Sequence, residues 1–113
     1  MALSSRGEVW LVDLDPTRGH EQGKTRPGLV VSVDLFNHGP AGLVVVIPLT
    51  TTDRRIPLHI EVSPPDGNLD RRSFVQCDQP HCVSRERLVR RIGTVSQAVI
   101  QQVEDRLRIL LGL

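Results

Sequence analysis

Hydrophobic and polar residues follow one another along this chain in short blocks, which predicts a protein built mainly of strands. Residues 8–14 (EVWLVDL) are apolar at both odd and even positions, so this strand should be covered on both faces. Residues 43–49 (LVVVIPL) are the most apolar block and predict a central strand, whereas residues 56–62 (IPLHIEV) alternate as an edge strand does. The predicted strands are residues 8–14, 28–36, 43–49, 56–62, 73–78 (half-buried) and 92–95.

The end of the chain has the spacing of an amphipathic helix. Residues 96–113 (SQAVIQQVEDRLRILLGL) begin with Ser96 as a predicted N-cap and end with Gly112 at the position of a C-terminal cap. The apolar stripe that should pack on the sheet consists of Val99, Val103, Leu107 and Leu110. A second helix of two turns is predicted over residues 84–91 (SRERLVRR).

Proline, glycine and polar clusters mark the connections. Residues 15–27 (DPTRGHEQGKTRP) predict a long loop, and long loops inside compact domains are usually functional or mobile. Pro48 has no N–H to donate to a sheet, so the central strand is expected to end or bulge there. The other predicted turns and loops are residues 37–42, 50–55 and 63–68.

Several short strands followed by one helix predict a mainly β (α+β) fold, either a small antiparallel barrel or a strongly curved sheet with a C-terminal α-helix. The 113 residues are enough for one domain and too few for two independent cores. A single domain is therefore expected over residues 1–113.

The charge pattern limits the kinds of partner. The formal net charge is only +1, so the chain has no global basic field of the kind that advertises nucleic-acid binding. Lys24 is the only lysine, and the other 13 of the 14 basic residues are arginine, which suits bidentate phosphate contact. A GC-rich genome would explain the same bias. Six arginines fall between Arg71 and Arg91, so any positive patch is local.

The start of the chain, MALSSRGEVW, lacks the basic and apolar regions of a signal peptide. The apolar runs are far shorter than the roughly 18–20 residues that span a bilayer. Two cysteines do not form a disulfide framework. We therefore expect a soluble, reduced, cytoplasmic protein without a membrane partner.

Arg26 is the first candidate for chemistry. Pro27 pushes the residue before it toward extended backbone, so Arg26 should be fixed at a strand entrance, where its guanidinium could clamp an anion. Three threonines at 50–52 follow the predicted strand end, and their hydroxyls could hydrogen-bond a phosphate. The alternatives are an exposed arginine without a role and ordinary capping of a strand end.

Other polar residues give weaker signals. Glu21 and Gln22 share the long loop with Arg26 and could hold it, although solvated loop polarity is the alternative. Cys77, His81 and Cys82 are clustered, but zinc sites need four ligands at characteristic spacings, and no metal site or other cofactor is expected. With 3% aromatic residues and no Tyr, a base-stacking platform of the OB or RRM kind is not expected.

Taken together, several segments resemble the MazF/PemK family of toxin endoribonucleases. These are RGEVWLVDLDPTRGHEQGKTRPGLVVS, VVVIPLTTT, SFVQCDQ, RLVRRIGTVS and the closing amphipathic helix. The order D-P-T-x-G-x-E-Q, then R-P, then P-x-T is specific, although none of the three motifs is specific alone. The resemblance covers nearly the whole chain, from about residue 6 to residue 113.

This resemblance implies an SH3-like antiparallel barrel of the CcdB/PemK/MazF kind with a C-terminal helix. It places the family's catalytic arginine on Arg26 and its catalytic threonine on Thr50. The family's D-Q pair after the later strand falls on Asp78 and Gln79. The residues expected to position the substrate are Glu21, Gln22, Lys24, Thr51, Gln79 and Arg87.

The resemblance also implies the partners. It predicts a homodimer that binds single-stranded RNA in a groove across the interface, and a cognate MazE-like antitoxin that neutralises it. DNA is expected as a partner only through the toxin–antitoxin complex, in autoregulation. The cleaved sequence cannot be carried over, because residues 64–72 and the cysteine cluster are not motif positions.

The implied reaction is metal-independent attack of the ribose 2′-OH on its own 3′-phosphate, which gives a 2′,3′-cyclic phosphate and a 5′-OH. Arg26 suits stabilisation of the phosphorane, and Thr50 suits hydrogen bonding to the same oxygens or a proton relay to the leaving group. Arginine is almost never deprotonated, so Glu21 or His20 is the chemically easier base.

Two other classes of function stay open on sequence alone. One is a non-catalytic poison that binds a partner protein, as the gyrase-binding CcdB toxins do on a similar fold. The other is a small-barrel interaction module, for which an aromatic-lined groove would be expected. Only Trp10, Phe36 and Phe74 are available to line one.

Overall fold

The computed structural model describes residues 4–13 and 25–113. In this part of the chain, short 3₁₀ turns at Asp66–Asn68 and Arg85–Arg87 accompany seven strands and two α-helices. The strands are β1 (Glu8–Asp13), β2 (Thr25–Val30), β3 (Leu43–Thr50), β4 (His59–Val62), β5 (Ser73–Gln76), β6 (His81–Ser84) and β7 (Leu88–Thr94). The helices are α1 (Asp34–Asn37) and α2 (Gln97–Leu111). Across the described ranges, no helix has the length and apolar character needed to cross a membrane.

The strands form one antiparallel sheet in the order β4–β5–β3–β2–β1–β7, and β6 pairs with β3. β3 is the centre of this sheet. Its first half pairs with β6, the stretch Val46–Pro48 pairs with β2, and Leu49 and Thr50 pair with β5. The predicted mainly β fold with a C-terminal helix is therefore confirmed, as is the central position of residues 43–49.

Alternation along the central strands divides the core into two clusters. The first contains Leu29 and Ile47, which are opposite each other on β2 and β3, and it includes the buried side of α2. The second contains Val30 and Val46, also a matched pair, on the other face of the same strands. Side chains at even positions of β2 and β3 consequently lie on the face away from α2.

The expectation that the central strand ends or bulges at Pro48 is wrong. β3 continues to Thr50, and Pro48 is in register with Gly28 of β2. On the opposite edge of β3, the neighbour changes from β6 to β5 around this position. Proline is tolerated here because its missing N–H falls between two ladders.

The predicted two-turn helix over residues 84–91 is also wrong. Ser84 caps a single 3₁₀ turn, its Oγ accepting a hydrogen bond from the Glu86 backbone N–H at 3.4 Å. The chain then enters β7, which pairs with β1 and carries Leu88 into the second core cluster. Pairing with an existing strand outweighs the helix propensity of this segment.

The strand predicted over residues 28–36 ends early, and α1 occupies its second half. The cause is local: the Asn37 side chain is fully buried and donates from Nδ2 to the Ser32 carbonyl at 2.8 Å. The Ser32 Oγ in turn accepts from the Val45 backbone N–H at 2.9 Å. Such side-chain bonds to backbone compete with sheet pairing.

The remaining differences concern strand limits. β2 begins at Thr25, so the last three residues of the predicted loop belong to a strand. β4 is shorter than predicted but lies at the sheet edge, as its alternation indicated. β5 is buried along its whole length, because it lies between β3 and β4, and β6 was not predicted.

Helix α2 confirms the predicted caps and three of the four residues of the predicted apolar stripe. Ser96 is the N-cap, and its Oγ accepts from the Val99 backbone N–H at 3.3 Å. Gly112 closes the helix in the left-handed conformation, at φ 72°, where glycine has no steric penalty. Val99 and Val103 are buried in the first core cluster, and Leu107 packs against it. Leu110 is 38% exposed and does not extend the buried stripe.

Candidate active site

Arg26 is the second residue of β2 and is exposed to solvent. It pairs with Val12 of β1, and Pro27 follows within the same strand. Because the backbone on both sides of Arg26 is held in the sheet, the root of its side chain is fixed. The predicted placement at a strand entrance is confirmed.

Thr50 is the last residue of β3 and is half-buried. Its partner across the sheet is Phe74 of β5. Thr50 Oγ1 accepts a hydrogen bond from the Thr52 backbone N–H at 3.2 Å. A hydroxyl that accepts in this way can still donate its own proton to a bound oxygen.

Register brings Arg26 and Thr50 to the same end of the sheet. Gly28 and Pro48 form the outermost pair of the β2–β3 ladder, and Arg26 and Thr50 each lie two residues beyond it on their own strand. Because side chains alternate with a period of two, both residues share the face that carries the second core cluster. A guanidinium and a hydroxyl thus border one site on the face away from α2.

Gln76 and Gln79 extend this site toward β6. Gln76 is buried on β5, and its Nε2 reaches the carbonyl of Pro48 at 3.5 Å. Gln79, in the turn after β5, is exposed and donates from Nε2 to the Gln76 Oε1 at 3.3 Å. Gln79, expected to position the substrate, is therefore linked through Gln76 to the strand that bears Thr50. Gln76 was not predicted as a site residue, although an amide inside a predicted half-buried strand was a signal.

His59 and Asp78 form a second feature that residue types did not single out. His59 Nε2 donates to Asp78 Oδ1 at 2.9 Å, and the His59 side chain is only 3% exposed. His59 is opposite Gln76 in the β4–β5 ladder, so it shares the face of the site. Its position in the alternating segment 56–62 was the available signal. This bond ties the edge strand to the turn that carries Gln79.

Arg87, the last residue of the 3₁₀ turn before β7, approaches the Arg26 end of the sheet. Its Nη1 donates to the backbone carbonyl of Asp13 at 3.1 Å, and the residue is half-buried. Asp13 is opposite Thr25, the residue before Arg26. Arg87 is consequently anchored beside the strand entrance and adds positive charge there.

The other predicted site residues have different outcomes. Thr51 is exposed, directly after β3. Four of the predicted site residues in the loop lie outside the described residues: His20, Glu21, Gln22 and Lys24.

An ion pair between Arg72 and Glu61 lies on the same face, with Glu61 two strands from Thr50. Phe74 is opposite Glu61 of β4 as well as Thr50 of β3. Arg72 donates to Glu61 twice, from Nε at 2.7 Å and from Nη2 at 3.2 Å, and its guanidinium lies 5.0 Å from the centre of the Phe74 ring. The hydrogen bond from Arg72 lowers the pKa of the Glu61 carboxyl below its ordinary value of 4.5. No sequence pattern indicated this ion pair.

The two cysteines do not converge. Cys77 is fully buried in the first core cluster, whereas Cys82 is exposed on β6. Burial raises the pKa of the Cys77 thiol from 9.0 to about 12. His81 directs its Nδ1 to the Gln79 carbonyl at 3.1 Å. The two thiols thus lie in different environments, one in the core and one at the surface.

The fold and this site define a class: a small antiparallel β protein with a C-terminal helix, whose central strands present cationic and hydroxyl groups at one end. Comparison with known families makes the assignment. The chain belongs to the PemK-like, MazF-like toxins of type II toxin–antitoxin systems, whose family model matches residues 5–111.

Similar proteins agree with this assignment. Endoribonuclease MazF9 of Mycobacterium tuberculosis is 36% identical over 116 residues, with 98% of each chain covered. The structure of an endoribonuclease in complex with its cognate antitoxin, from a mycobacterial species, is 30% identical at a TM-score of 0.81, covering 97% of this chain and 96% of that one. A MazE–MazF complex from Deinococcus radiodurans is 25% identical at a TM-score of 0.87, covering 100% of this chain and 99% of that one. The barrel expected from the resemblance is the fold of these proteins.

Proposed function

We propose that this chain is the toxin of a type II toxin–antitoxin system and acts as a sequence-specific endoribonuclease on single-stranded mRNA in the cytoplasm. The observation that carries the proposal is the shared position of Arg26 and Thr50 beyond the Gly28–Pro48 pair. It is supported by the family match and by the similarity to a protein named as an endoribonuclease.

The chemistry follows from the two groups that this position supplies. The 2′-oxygen of one ribose attacks the adjacent phosphorus, the bond from phosphorus to the 5′-oxygen breaks, and the products are a 2′,3′-cyclic phosphate and a 5′-OH. Negative charge builds on the phosphoryl oxygens during this step. A guanidinium fixed on β2 stabilises that charge, and one well-placed donor of this kind lowers the barrier by about 3–4 kcal/mol.

Thr50 completes the site from the neighbouring strand. Its hydroxyl donates to a phosphoryl oxygen or passes a proton to the departing 5′-oxygen. The hydrogen bond from the Thr52 N–H holds the hydroxyl oxygen in place, which leaves its proton as the group that faces the substrate. Both roles require the Thr50 Oγ1 to lie close to the phosphorus of the cleaved bond, not merely somewhere in the expected RNA-binding groove.

The reaction also needs a group that removes the proton from the 2′-OH. Arg26 cannot serve, because an arginine side chain stays protonated in proteins. We assign the proton transfer to Glu21 or His20 and expect it to contribute little, with electrostatic stabilisation and alignment dominating. Turnover should then be modest and change little between mild acid and mild alkali. A bell-shaped pH profile that disappears in His20→Ala would overturn that balance.

Substrate positioning falls to polar residues around the Arg26–Thr50 site. Gln79 is held against β5 through Gln76, and Arg87 is anchored on the Asp13 carbonyl, so both can contact the backbone or bases without large rearrangement. Thr51 is exposed beside the catalytic threonine. The loop residues expected to share this task are Glu21, Gln22 and Lys24.

We propose a homodimer with RNA bound across its interface, since a chain this short offers little surface to hold several nucleotides and two-fold pairing enlarges the groove. Exposed apolar side chains such as Leu35, at 90%, and Val89, at 57%, are consistent with an interface. A monomer at micromolar concentration that still cuts RNA would contradict the dimeric site.

We also propose a MazE-like antitoxin as the partner. Its acidic, disordered tail would fold along the arginine-bearing surface. The two similar complexes with antitoxins support this partner. DNA contact would arise only through the toxin–antitoxin complex.

The test is incubation of the purified protein with a long defined RNA in the presence of chelator, with the cleavage ends mapped. We expect cuts at one short sequence, 5′-OH and 2′,3′-cyclic phosphate ends, and no cutting of RNA that carries deoxyribose at the cleaved position. Intact RNA with growth arrest through a bound protein would favour the non-catalytic CcdB-like alternative. Loss of cutting in chelator would revive a metal-dependent reaction.

A further inference from the structure

The groups beside Thr50 suggest how the enzyme recognises a base. Thr50, Phe74 and Glu61 lie opposite one another on β3, β5 and β4. Directly opposed residues in a ladder have Cβ atoms about 4.5–5.5 Å apart and share one face of the sheet. Phe74 is therefore an immediate neighbour of Thr50, and Glu61 lies one strand further out on the same face.

Arg72 covers this row in a fixed orientation. The guanidinium lies over the Phe74 ring, with 5.0 Å between the Arg72 Cζ and the ring centre, and the ring itself is only 6% exposed. Two hydrogen bonds to Glu61 use the Nε and Nη2 groups and fix the plane of the guanidinium. More than half of the Arg72 side chain, 56%, is still exposed, so the side away from the ring is open.

We propose that Arg72, lying on Phe74 and held by Glu61, is a stacking platform for a nucleobase next to the cleaved phosphate. This proposal rests on the endoribonuclease function proposed above. It assigns to the nuclease a specificity residue that contacts a base, whereas Arg26 and Thr50 contact the phosphate. RNA-binding proteins commonly stack unpaired bases on the planes of arginine guanidinium groups.

Charge balance favours a base over a phosphate as the ligand of Arg72. Glu61 neutralises the guanidinium directly, and the Asp53 carboxylate lies 3.9 Å from Nη2. Within this group, the charge of the Arg72 guanidinium is therefore already balanced by its carboxylate partners. The same carboxylates can accept hydrogen bonds from the amino groups of a stacked base.

This platform differs from the ones that the composition excludes. Few aromatic residues are present, and Phe74 is too covered to stack on a base by itself. The guanidinium over the ring presents its own planar surface to solvent. That surface supplies the stacking group that a chain without tyrosine otherwise lacks.

The experiment uses an oligonucleotide that spans the mapped cleavage sequence and carries deoxyribose at the cut position, so that it binds without being cleaved. 2-Aminopurine replaces each flanking base in turn, and its fluorescence reports stacking. We expect quenching at one position with the unaltered protein. Arg72→Ala and Arg72→Lys should both abolish that quenching and weaken binding by about 10-fold, since lysine keeps the charge but not the plane.

Salt dependence distinguishes the two modes of contact. If Arg72 stacks on a base, the slope of binding against salt in both variants should match that of the unaltered protein. If Arg72 binds a phosphate instead, Arg72→Ala should lower that slope by about 0.7 and Arg72→Lys should retain it, which would overturn the proposal. Arg108→Ala, the same change on α2 at the opposite face, should leave binding and quenching unchanged.

The outcomes distinguish a failure of the stacking platform from a failure of the proposed endoribonuclease function. If the unaltered protein cuts RNA while both Arg72 variants bind, quench and choose sites as it does, the platform is wrong and the nuclease stands. If the unaltered protein neither cuts nor binds RNA, the proposed function itself fails. Matching thermal melting curves for the variants would confirm that any loss is not due to unfolding.

Discussion

Arg26 on β2 and Thr50 on β3 each lie two residues beyond the Gly28–Pro48 pair, at the same end of the two strands. They are 24 positions apart in the sequence, and only the antiparallel register of the two strands places them at one end of the sheet. Both belong to the face away from α2, so the reacting groups are not covered by the helix. This placement of Arg26 and Thr50 supplies the proposed phosphoryl chemistry with a cation and a hydroxyl from two different strands.

The first prediction concerns Arg26. Arg26→Ala should lower the cleavage rate by about 10²- to 10³-fold, the loss expected for one donor that stabilises an oxyanion. Because Arg26 is exposed, the melting temperature of the Arg26→Ala variant should match that of the unaltered protein within about 1–2 °C. Rates on a fixed RNA and thermal melts measure the two effects.

Two variants serve as controls for Arg26. Arg26→Lys keeps the charge but not the fork of donors and should recover only part of the rate. Arg108→Ala removes an arginine from the far side of the molecule and should cut at the normal rate. An Arg26→Ala protein that degrades RNA as fast as the unaltered protein would exclude the proposed mechanism.

The second prediction concerns the Thr50 hydroxyl. Thr50→Val keeps the β-branched shape at the end of β3 but removes the hydroxyl, so cleavage should fall by about 10²-fold or more while RNA binding changes little. Thr50→Ser should retain much of the activity. Thr52→Val is the matched control, since only the backbone N–H of Thr52 is used. Normal cleavage by Thr50→Val would remove Thr50 from the mechanism.

The third prediction concerns thiol reactivity. With the native protein, a disulfide reagent should modify Cys82 rapidly and Cys77 only after unfolding, because Cys77 is buried and its pKa is raised to about 12. Counting the cysteine thiols that react with the reagent, with and without denaturant, measures this difference directly. Two equally fast thiols in the native protein would contradict the placement of Cys77 in the core.

The fourth prediction follows from the sign of the same shift. An unfolded chain ionises this thiol from its ordinary pKa of 9.0, whereas the folded chain keeps it protonated to about 12. Between these values unfolding releases a proton, so the stability from this group is complete below pH 9 and is lost as the pH rises toward 12. Cys77→Ala should flatten the loss measured by denaturant titration, and Cys82→Ala should not.

The fifth prediction tests the packing of β7. A Cβ at Gly93 would lie 2.5 Å from both the Asn68 Cβ and the Gly67 carbonyl oxygen, closer than such atoms approach. Gly93→Ala should therefore destabilise the fold by about 2 kcal/mol or more, through strain between β7 and the 3₁₀ turn. The midpoint of denaturation measures the loss. Gly112, where a Cβ meets no atom within 4 Å, marks a place where only the positive φ opposes the same change.

Local pattern predicted the elements whose own side chains determine them. The caps at Ser96 and Gly112 and the apolar stripe of α2 lie within one segment, so the helix was predicted with its ends. The all-apolar block of β3 indicated a central strand for the same reason. The helix prediction for residues 84–91 was wrong because the conformation of this segment depends on pairing with β1, whose paired residues lie 76 to 81 positions away.

The residues of the candidate site likewise divide into those that the sequence predicted and those that it did not. Arg26 and Thr50 were found because Pro27 and Pro48 mark them in the sequence and because the motifs resemble those of a known family. His59, Gln76 and the Arg72–Glu61 pair were missed, since their roles come from neighbours on other strands.

The sequence by itself determined that this chain forms a small, mainly β domain with a capped C-terminal helix, and which toxin family it resembles. Tertiary structure alone decided that β3 continues through Pro48 and that Arg26 and Thr50 share one face at the same end of the sheet. It also decided that the Arg72 guanidinium lies over the Phe74 ring, next to Thr50. The physical reason is range. Caps and apolar periodicity act within a few residues, whereas register and cross-strand contact depend on which strands the collapsed chain brings together.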